Sequence, residues 1–349
     1  MACLFELSAS NELGLEVRQP AVIMLKNIAR SYWDAPEARD EKMAIDEESR
    51  AYLRQSILKA LVHTPELIRS HLEIVFHEVV KVDFPNNMPG IMDEIEGFLQ
   101  SNESDGILGA TLAIFQIARS FEYRRSNVRK PFDLLAARFF PQLAAMYAAL
   151  SEMDSPTEET LRLQKLVLQT YWCTFQLRQP ECLIDPEVLT TWTGLFANTV
   201  QTKVMPGEAE ATETDINEYA QFDIAREALQ IVNRLFQRYG QPAFVANEDD
   251  KPFAEFFLHQ LAPQLAGLFQ QILFEYAKGE RQLSSLVIRE LLEYLNSCIR
   301  YAVTFQPMKD SIQDLYTSVL FPLLRISDED LAEWSDDPKY FVMRSRNVF

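Results

Sequence analysis

The chain has 349 residues, with 33 Lys and Arg against 51 Asp and Glu, a net charge of −18 and only 10 glycines. A field this acidic repels phosphate backbones, which argues against direct nucleic-acid binding and suits a basic partner, although solubility alone also accounts for it. So little glycine weighs against phosphate-cradling loops, dinucleotide-binding turns and β-rich folds, each of which needs glycine at strained backbone positions.

Read in chain order, nearly every segment longer than ten residues carries an amphipathic helical pattern, and the helices come in pairs. The first helix is predicted over 17–32, with Val17, Ala21, Leu25 and Ile28 on one stripe and Pro20 tolerable only in the first turn. A helix over 47–62 buries Leu53, Ile57, Leu58 and Leu61. Thr64 is then expected to cap the next helix, with Pro65 at its first position and Leu67 to Lys81 following. Further pairs are predicted at 89–99 with 106–123, 131–150 with 158–177, 186–200 with 219–239, and 253–277 with 283–303. A helix over 308–324 and a truncated one from Pro338 close the chain. The early pairs start near residues 47, 87 and 131, a spacing of about 40–45 residues that is the HEAT/armadillo period. The expected fold is therefore all-α, a right-handed superhelix of antiparallel HEAT pairs, each needing a neighbour on both sides. Trp172, Trp192 and Tyr171 sit in apolar stripes and read as core.

Two acidic segments interrupt the pattern and read as loops: Gly207 to Glu218, with five carboxylates, and Ser327 to Asp337, with six around Leu331 and Trp334. Each reads as a solvated loop or as a docking surface for basic segments. The basic run from Tyr123 to Lys130 fits the solvated cationic cap of a helix C-terminus, the alternative being a contact for an acidic partner. No chemistry stands out: His63, His71, His77 and His259 make no metal pattern, and nucleophile elbows, phosphate loops and dinucleotide turns are missing. His71 and His77, six residues apart, fall on opposed faces of one helix. Carboxylate pairs such as Asp93 with Glu96 and Glu290 with Glu293 are no more than helical spacing produces by chance. Neither an enzyme nor a cofactor is expected. Four scattered cysteines suit a reducing, intracellular compartment, the opening residues lack a secretory pattern, and no apolar run approaches the ~20 residues of a membrane span.

Several strings together resemble the importin-β superfamily of nuclear transport receptors, nearest its importin-seven and importin-eight branch. They are EVRQPAVIMLKNIARSYW (16–33), TPELIRSHL (64–72), KVDFPNNMPGIMDEIEGFLQS (81–101), NRLFQRYGQP (233–242), EFFLHQL (255–261), EYLNSCIRYAVTFQPMKDSI (293–312) and DEDLAEWSDDPKYFVMRS (328–345). The resemblance covers nearly the whole chain in order, and implies its N-terminal portion. It departs from the family where Met88-Pro89 replaces the usual Trp-Pro, and where Pro20 replaces a small residue. The chain also begins where the first helix of repeat one should be ending, so Leu4, Leu7 and Leu15 are expected at an open apolar end.

The resemblance implies a receptor shuttling between nucleus and cytoplasm, without membrane insertion. It would bind the GTPase Ran in its GTP form through residues 1–103, with 104–349 continuing the same solenoid. Basic protein cargo and Phe-Gly nucleoporins are the other implied partners, the latter held in apolar grooves between outer helices. Position by position, the Ran-facing candidates are Arg18, Gln19, Lys26 and Asn27 on the first inner helix and His77, Glu78 and Lys81 on the second. For basic cargo they are Glu208, Glu210, Glu213 and Asp215, then Asp328, Glu329 and Asp330. The alternatives are a HEAT scaffold without GTPase dependence and a shortened paralogue without Ran-dependent transport.

Overall fold

The computed structural model describes residues 1–34, 45–101, 103–125, 128–153, 156–204, 219–245, 248–325 and 328–347. Its main helices are α1 (Ala2–Ala9), α2 (Leu15–Tyr32), α3 (Glu47–His63), α4 (Glu66–Asp83), α5 (Ile91–Leu99), α6 (Ser104–Phe121), α7 (Lys130–Ser151) and α8 (Glu158–Trp172). The chain continues through a single turn, α9 (Glu181–Ile184), then α10 (Pro186–Gln201), α11 (Ala220–Arg238), α12 (Lys251–Phe256), α13 (Ala262–Ala277) and α14 (Ser285–Cys298). Three short pieces, α15 (Ala302–Met308), α16 (Ile312–Leu315) and α17 (Phe321–Leu324), lead to α18 (Asp328–Asp336) and α19 (Pro338–Asn347). Among the described residues the only β pairing is one isolated bridge, Val204 with Gln282.

The helices form two layers. Helices α2, α4, α6, α8, α11 and α14 each pack on the next in an unbroken series. Their partners α1, α3, α5, α7, α10 and α12–α13 form the second layer, in which α3 and α5 barely touch and α10 meets α13 marginally. The layer whose helices lie closer together is the inside of a curved stack, so α2 to α14 line the inner face. One apolar core runs from Phe5 to Val319 between the layers. Each helix pair is too thin to bury its own apolar surface, which is why the core is continuous.

Sequence and structure differ at several informative places. The two-turn α1 packs on α2 and buries Phe5, so the open end is partly closed: Leu4 is half-buried and Leu15 stays exposed. The buried stripe of α2 is Arg18, Ala21, Val22, Leu25 and Ala29, leaving Val17 exposed. Pro20 lies in the second turn of α2, not the first, on its solvent side. Thr64 ends α3 by donating its hydroxyl to the Ala60 carbonyl at 2.7 Å, and Pro65 takes the cap position of α4. The helix expected over 253–277 contains a wide π turn at Phe257–Leu261, and a second wide turn occupies Tyr316–Leu320. Each precedes a proline, Pro263 or Pro322, whose ring cannot close against the carbonyl four residues back, and the wide turn absorbs that misfit. α7, of 22 residues, contains an 18-residue stretch of mean hydropathy 1.2 and is long and apolar enough by composition to cross a membrane. Its Lys130, Asp133 and Arg138 interrupt the apolar run, and Phe132, Leu135, Phe139, Phe140 and Leu143 are buried in the core.

Buried arginines close the turns. Arg18 donates to the Ser8 carbonyl at 3.0 Å, Arg69 to Thr64 at 2.9 Å, and Arg281 to Gln201 at 2.7 Å. Each thus neutralises carbonyls left open where α1, α3 or α10 ends. Arg129 does the same for Thr174 at 2.6 Å, and Arg124 donates to the Lys81 and Ser120 carbonyls. Arg124 and Arg129 of the basic run therefore serve as helix caps. The layers approach closely at Gly109 of α6, where an added Cβ would meet Val62 Cγ2 at 2.6 Å and Val62 Cα at 2.9 Å. Gly109→Ala is expected to cost about 1–3 kcal/mol by forcing α3 and α6 apart, despite the better helix propensity of alanine. A urea-unfolding midpoint equal to or above wild type would refute this.

Candidate functional site

The inner face of the first repeats is formed by the solvent side of α2 and the free edge of α4. On α2 the sequence places polar candidates, but much of what reaches solvent is apolar: Leu15, Val17, Ile23 and Met24 are exposed, Met24 by 56 %. Asn27 is exposed among them, and Gln19 and Lys26 are half-buried. Arg18 is not part of this surface. It is 5 % exposed and bonded to Ser8, because its side chain turns inward to the end of α1. As a surface candidate it is corrected to a structural residue.

The seam between α2 and α4 brings charges together. His71 of α4 sits near Lys26, and burial first, then that lysine, lowers its pKa. Lys81 lies 3.6 Å from the Asp34 carboxylate and 3.7 Å from Glu78, itself half-buried. His77 faces the other way, toward α6. Burial first, then Arg119, lowers its pKa, and its Nδ1 is buried without a partner. The two histidines thus flank α4 on opposite sides, as their spacing implies.

The acidic candidates are less gathered. Glu208, Glu210, Glu213 and Asp215 lie outside the described residues. Asp328 and Glu329 fall within α18, so this segment is a helix and not the loop its composition suggested. Asp330 is half-buried and engaged with neighbours.

A feature the sequence reading passed over is a polar ladder between neighbouring inner helices. Arg162 of α8 reaches past α6 to hold Glu66 of α4 through both nitrogens, at 2.5 and 2.7 Å. Lys165 pairs with Asp223 of α11, and Gln169 donates to Glu227 at 3.1 Å. Asn233 donates to both the backbone and the carboxylate of Glu290 on α14, at 2.9 and 3.0 Å, and Gln237 to Glu293 at 2.8 Å. The signal was present: Asn233 and Gln169 are amides at inward-pointing positions of otherwise apolar helices. The pair Glu290 and Glu293, dismissed as chance spacing, is the acceptor side of this ladder.

Glu73 of α4 titrates unusually. Burial first, then the neighbouring Glu66, pushes its carboxyl up to about 7, opposed by Arg162, Arg69 and Gln116. A folded-state value above the ordinary glutamate value favours the native state below about pH 4.5, an advantage lost as pH rises through 7. Glu73→Gln should therefore stabilise the protein by about 1–2 kcal/mol at pH 8 and hardly at all near pH 4.5, once solvent screening is allowed for. Thermal melts at the two pH values test this, and a gain independent of pH would contradict it.

With this geometry in view, the known proteins it resembles are informative. Residues 1–63 match the importin-β N-terminal domain. The whole chain aligns with Importin-8 of Homo sapiens at 29 % identity, over 99 % of this chain and 33 % of that protein. Importin-8 of Mus musculus gives 30 %, over 99 % and 34 %, and an importin beta-like SAD2 homolog of Arabidopsis thaliana gives 24 %, over 96 % and 32 %. The chain thus spans about a third of the length of the curated relatives it matches. The fold superposes on the exportin Cse1 in its cargo-free, cytoplasmic state with a TM-score of 0.70 at 13 % identity, over 98 % of this chain and 36 % of that one. A two-layer helical solenoid, the N-terminal domain match and end-to-end alignment with importins agree: the chain belongs to the importin-β superfamily and corresponds to its N-terminal portion.

Proposed function

We propose that this chain is the Ran-facing and cargo-carrying portion of a nuclear import receptor that shuttles between cytoplasm and nucleus. The observation that carries the reading is the open inner surface of α2, which lies within the stretch matching the importin-β N-terminal domain. Its exposed centre, Val17, Ile23 and Met24, is rimmed by Gln19, Lys26 and Asn27, with Glu78 and Lys81 beyond on α4. An apolar centre with a polar rim is the composition of a protein-binding patch. Residues 1–103 would meet Ran in its GTP form, with His77 contributing only at the α6 side, while 104–349 extend the carrier. Basic cargo would be drawn by the acidic stretches at 208–215 and 328–330, in a salt-sensitive way.

Phe-Gly nucleoporins would enter on the outer layer. Between α7 and α10 lies an apolar groove of about 430 Å³, lined by Phe140, Pro141, Ala144, Leu183, Val188 and Trp192 among others. An aromatic side chain fits a groove of this character.

Titration against Ran loaded with GTP and with GDP tests the reading. A clear preference for the GTP form is expected, together with a loss of about tenfold or more in the Met24→Asp variant, whose exposed position leaves folding intact. Equal or absent binding of the two forms would replace this reading with a helical-repeat scaffold.

A further inference from the structure

Along the inner face, polar pairs among the described residues join adjacent helices: Lys165 meets Asp223 from α8 to α11, and Asn233 meets Glu290 from α11 to α14. Arg162 of α8 does otherwise. It passes over α6 and grips Glu66 of α4 fork to fork, through Nη1 at 2.5 Å and Nη2 at 2.7 Å. Glu66 is the first residue of α4, and Arg162 lies in the second turn of α8. Two shorter ties join the same helix starts. Arg69 of α4 donates to Asp105 of α6 at 2.9 Å, and Ser104, the first residue of α6, donates to Glu159 of α8. The three ties close a triangle, from α4 to α6, α6 to α8 and α8 back to α4. Glu66, Arg69, Asp105, Glu159 and Arg162 all line one hollow of about 770 Å³ at this edge.

A stack whose members touch only their neighbours can bend at every joint, because small rotations between repeats add up. A tie that skips one member removes that freedom, since α4 and α8 cannot part at this edge while Arg162 holds Glu66. The Glu66 side chain is 55 % exposed and that of Arg162 38 %, so water and salt reach the pair. An exposed bidentate pair favours the closed curve by about twofold to fivefold, enough to bias a soft array and little enough for salt to release it. We infer that the Arg162–Glu66 pair is a latch on the superhelix. Closed, it fixes the curvature of the repeats that contain α4, α6 and α8; released, it lets the inner face open across α6. The latch acts in the free protein, whatever that face holds.

The test reads one distance across the latch in the whole chain. Spin labels go at Glu16→Cys, exposed at the start of α2, and Ala220→Cys, exposed at the start of α11, on either side of the latch and outside it. Cys3→Ser and Cys182→Ser remove the two cysteines that are not buried. In double electron–electron resonance at low salt, one short distance should dominate. Arg162→Ala and Glu66→Gln should each raise, by about twofold to fivefold, a component longer by about 3 Å or more, one added hydrogen-bond length. Salt at about 1 M should do the same to the intact pair and nothing further to either variant. Because both substitutions release one tie, the double variant should match the singles. A distance unmoved by both substitutions and by salt would show α4 and α8 held by packing alone. Effects that add in the double variant would show that the two residues act apart. Either result overturns the latch.

Discussion

Asp83→Ala is expected to destabilise the N-terminal repeats by about 3–5 kcal/mol, the cost of leaving a buried ionic network without one partner. Asp83, the last residue of α4, is 2 % exposed. Its carboxylate accepts from Trp33 Nε1 at 2.8 Å, Arg54 Nη1 at 3.1 Å and Asn87 Nδ2 at 2.7 Å. One side chain thus ties the residue that ends α2, the middle of α3 and the loop after α4. The Arg50 guanidinium lies 5.1 Å from the centre of the Trp33 ring, so the tryptophan is held from both sides. Removing the carboxylate strands an indole N–H in a site where water has little access, and leaves the Arg54 guanidinium with only the exposed Glu47 carboxylate as its ionic partner. Asp83→Asn keeps the shape but offers one acceptor oxygen in place of two, so an intermediate loss is expected. Urea unfolding followed by hydrogen exchange in α2, α3 and α4 measures both. A loss below about 1 kcal/mol for alanine would mean the network contributes little beyond its packing.

This network also marks where sequence reading succeeds and where it stops. The paired helices were legible because each carries apolar residues at helical spacing, and a core shared between pairs requires that spacing in every one. The stretch around Asp83 was legible as a family string, yet nothing in the string says that the aspartate closes a bond with a tryptophan fifty residues earlier. Arg18 was misplaced for a related reason. A charged residue on an amphipathic helix reads as solvent-facing, and only the end of the short α1 supplies the carbonyl that takes it inward. The helices expected over 253–277 and 308–324 run through Pro263 and Pro322, and the structure accommodates each proline with a wide turn that the apolar pattern does not reveal. The inner-face ladder lies between these cases. Asn233 and Gln169 are visible as polar residues in apolar stripes, but their partners Glu290 and Glu227 belong to the next helix of the array, a relation that depends on the superhelix itself. For the candidate site the division is similar: the helices were placed correctly, and the apolar character of the α2 surface was not anticipated because the exposed stripe is rotated from the expected one.

Trp192→Ala should cost about 3–5 kcal/mol and weaken the outer groove at the same time. Trp192 of α10 is 1 % exposed and sits within an aromatic cluster, its ring centre 4.9 Å from Tyr171, 5.8 Å from Phe140 and 5.8 Å from Phe196. Truncation removes the largest side chain joining α7, α8 and α10, and α7 and α8 cannot close the gap without breaking their own contacts with α6. The void lies beside the groove between α7 and α10, so aromatic peptides lose the wall against which a ring would rest. Trp192→Phe retains an aromatic face and is expected to lose about 1–2 kcal/mol, with peptide binding partly kept. Because each repeat packs mainly on its immediate neighbours, with the Arg162–Glu66 pair reaching one repeat further, the damage should stay largely local. Hydrogen exchange should accelerate in α7, α8 and α10, with α2 and α4 unchanged. Acceleration spread evenly from α2 to α14 would show instead that the array unfolds as one cooperative body, and the local picture of this superhelix would have to be given up.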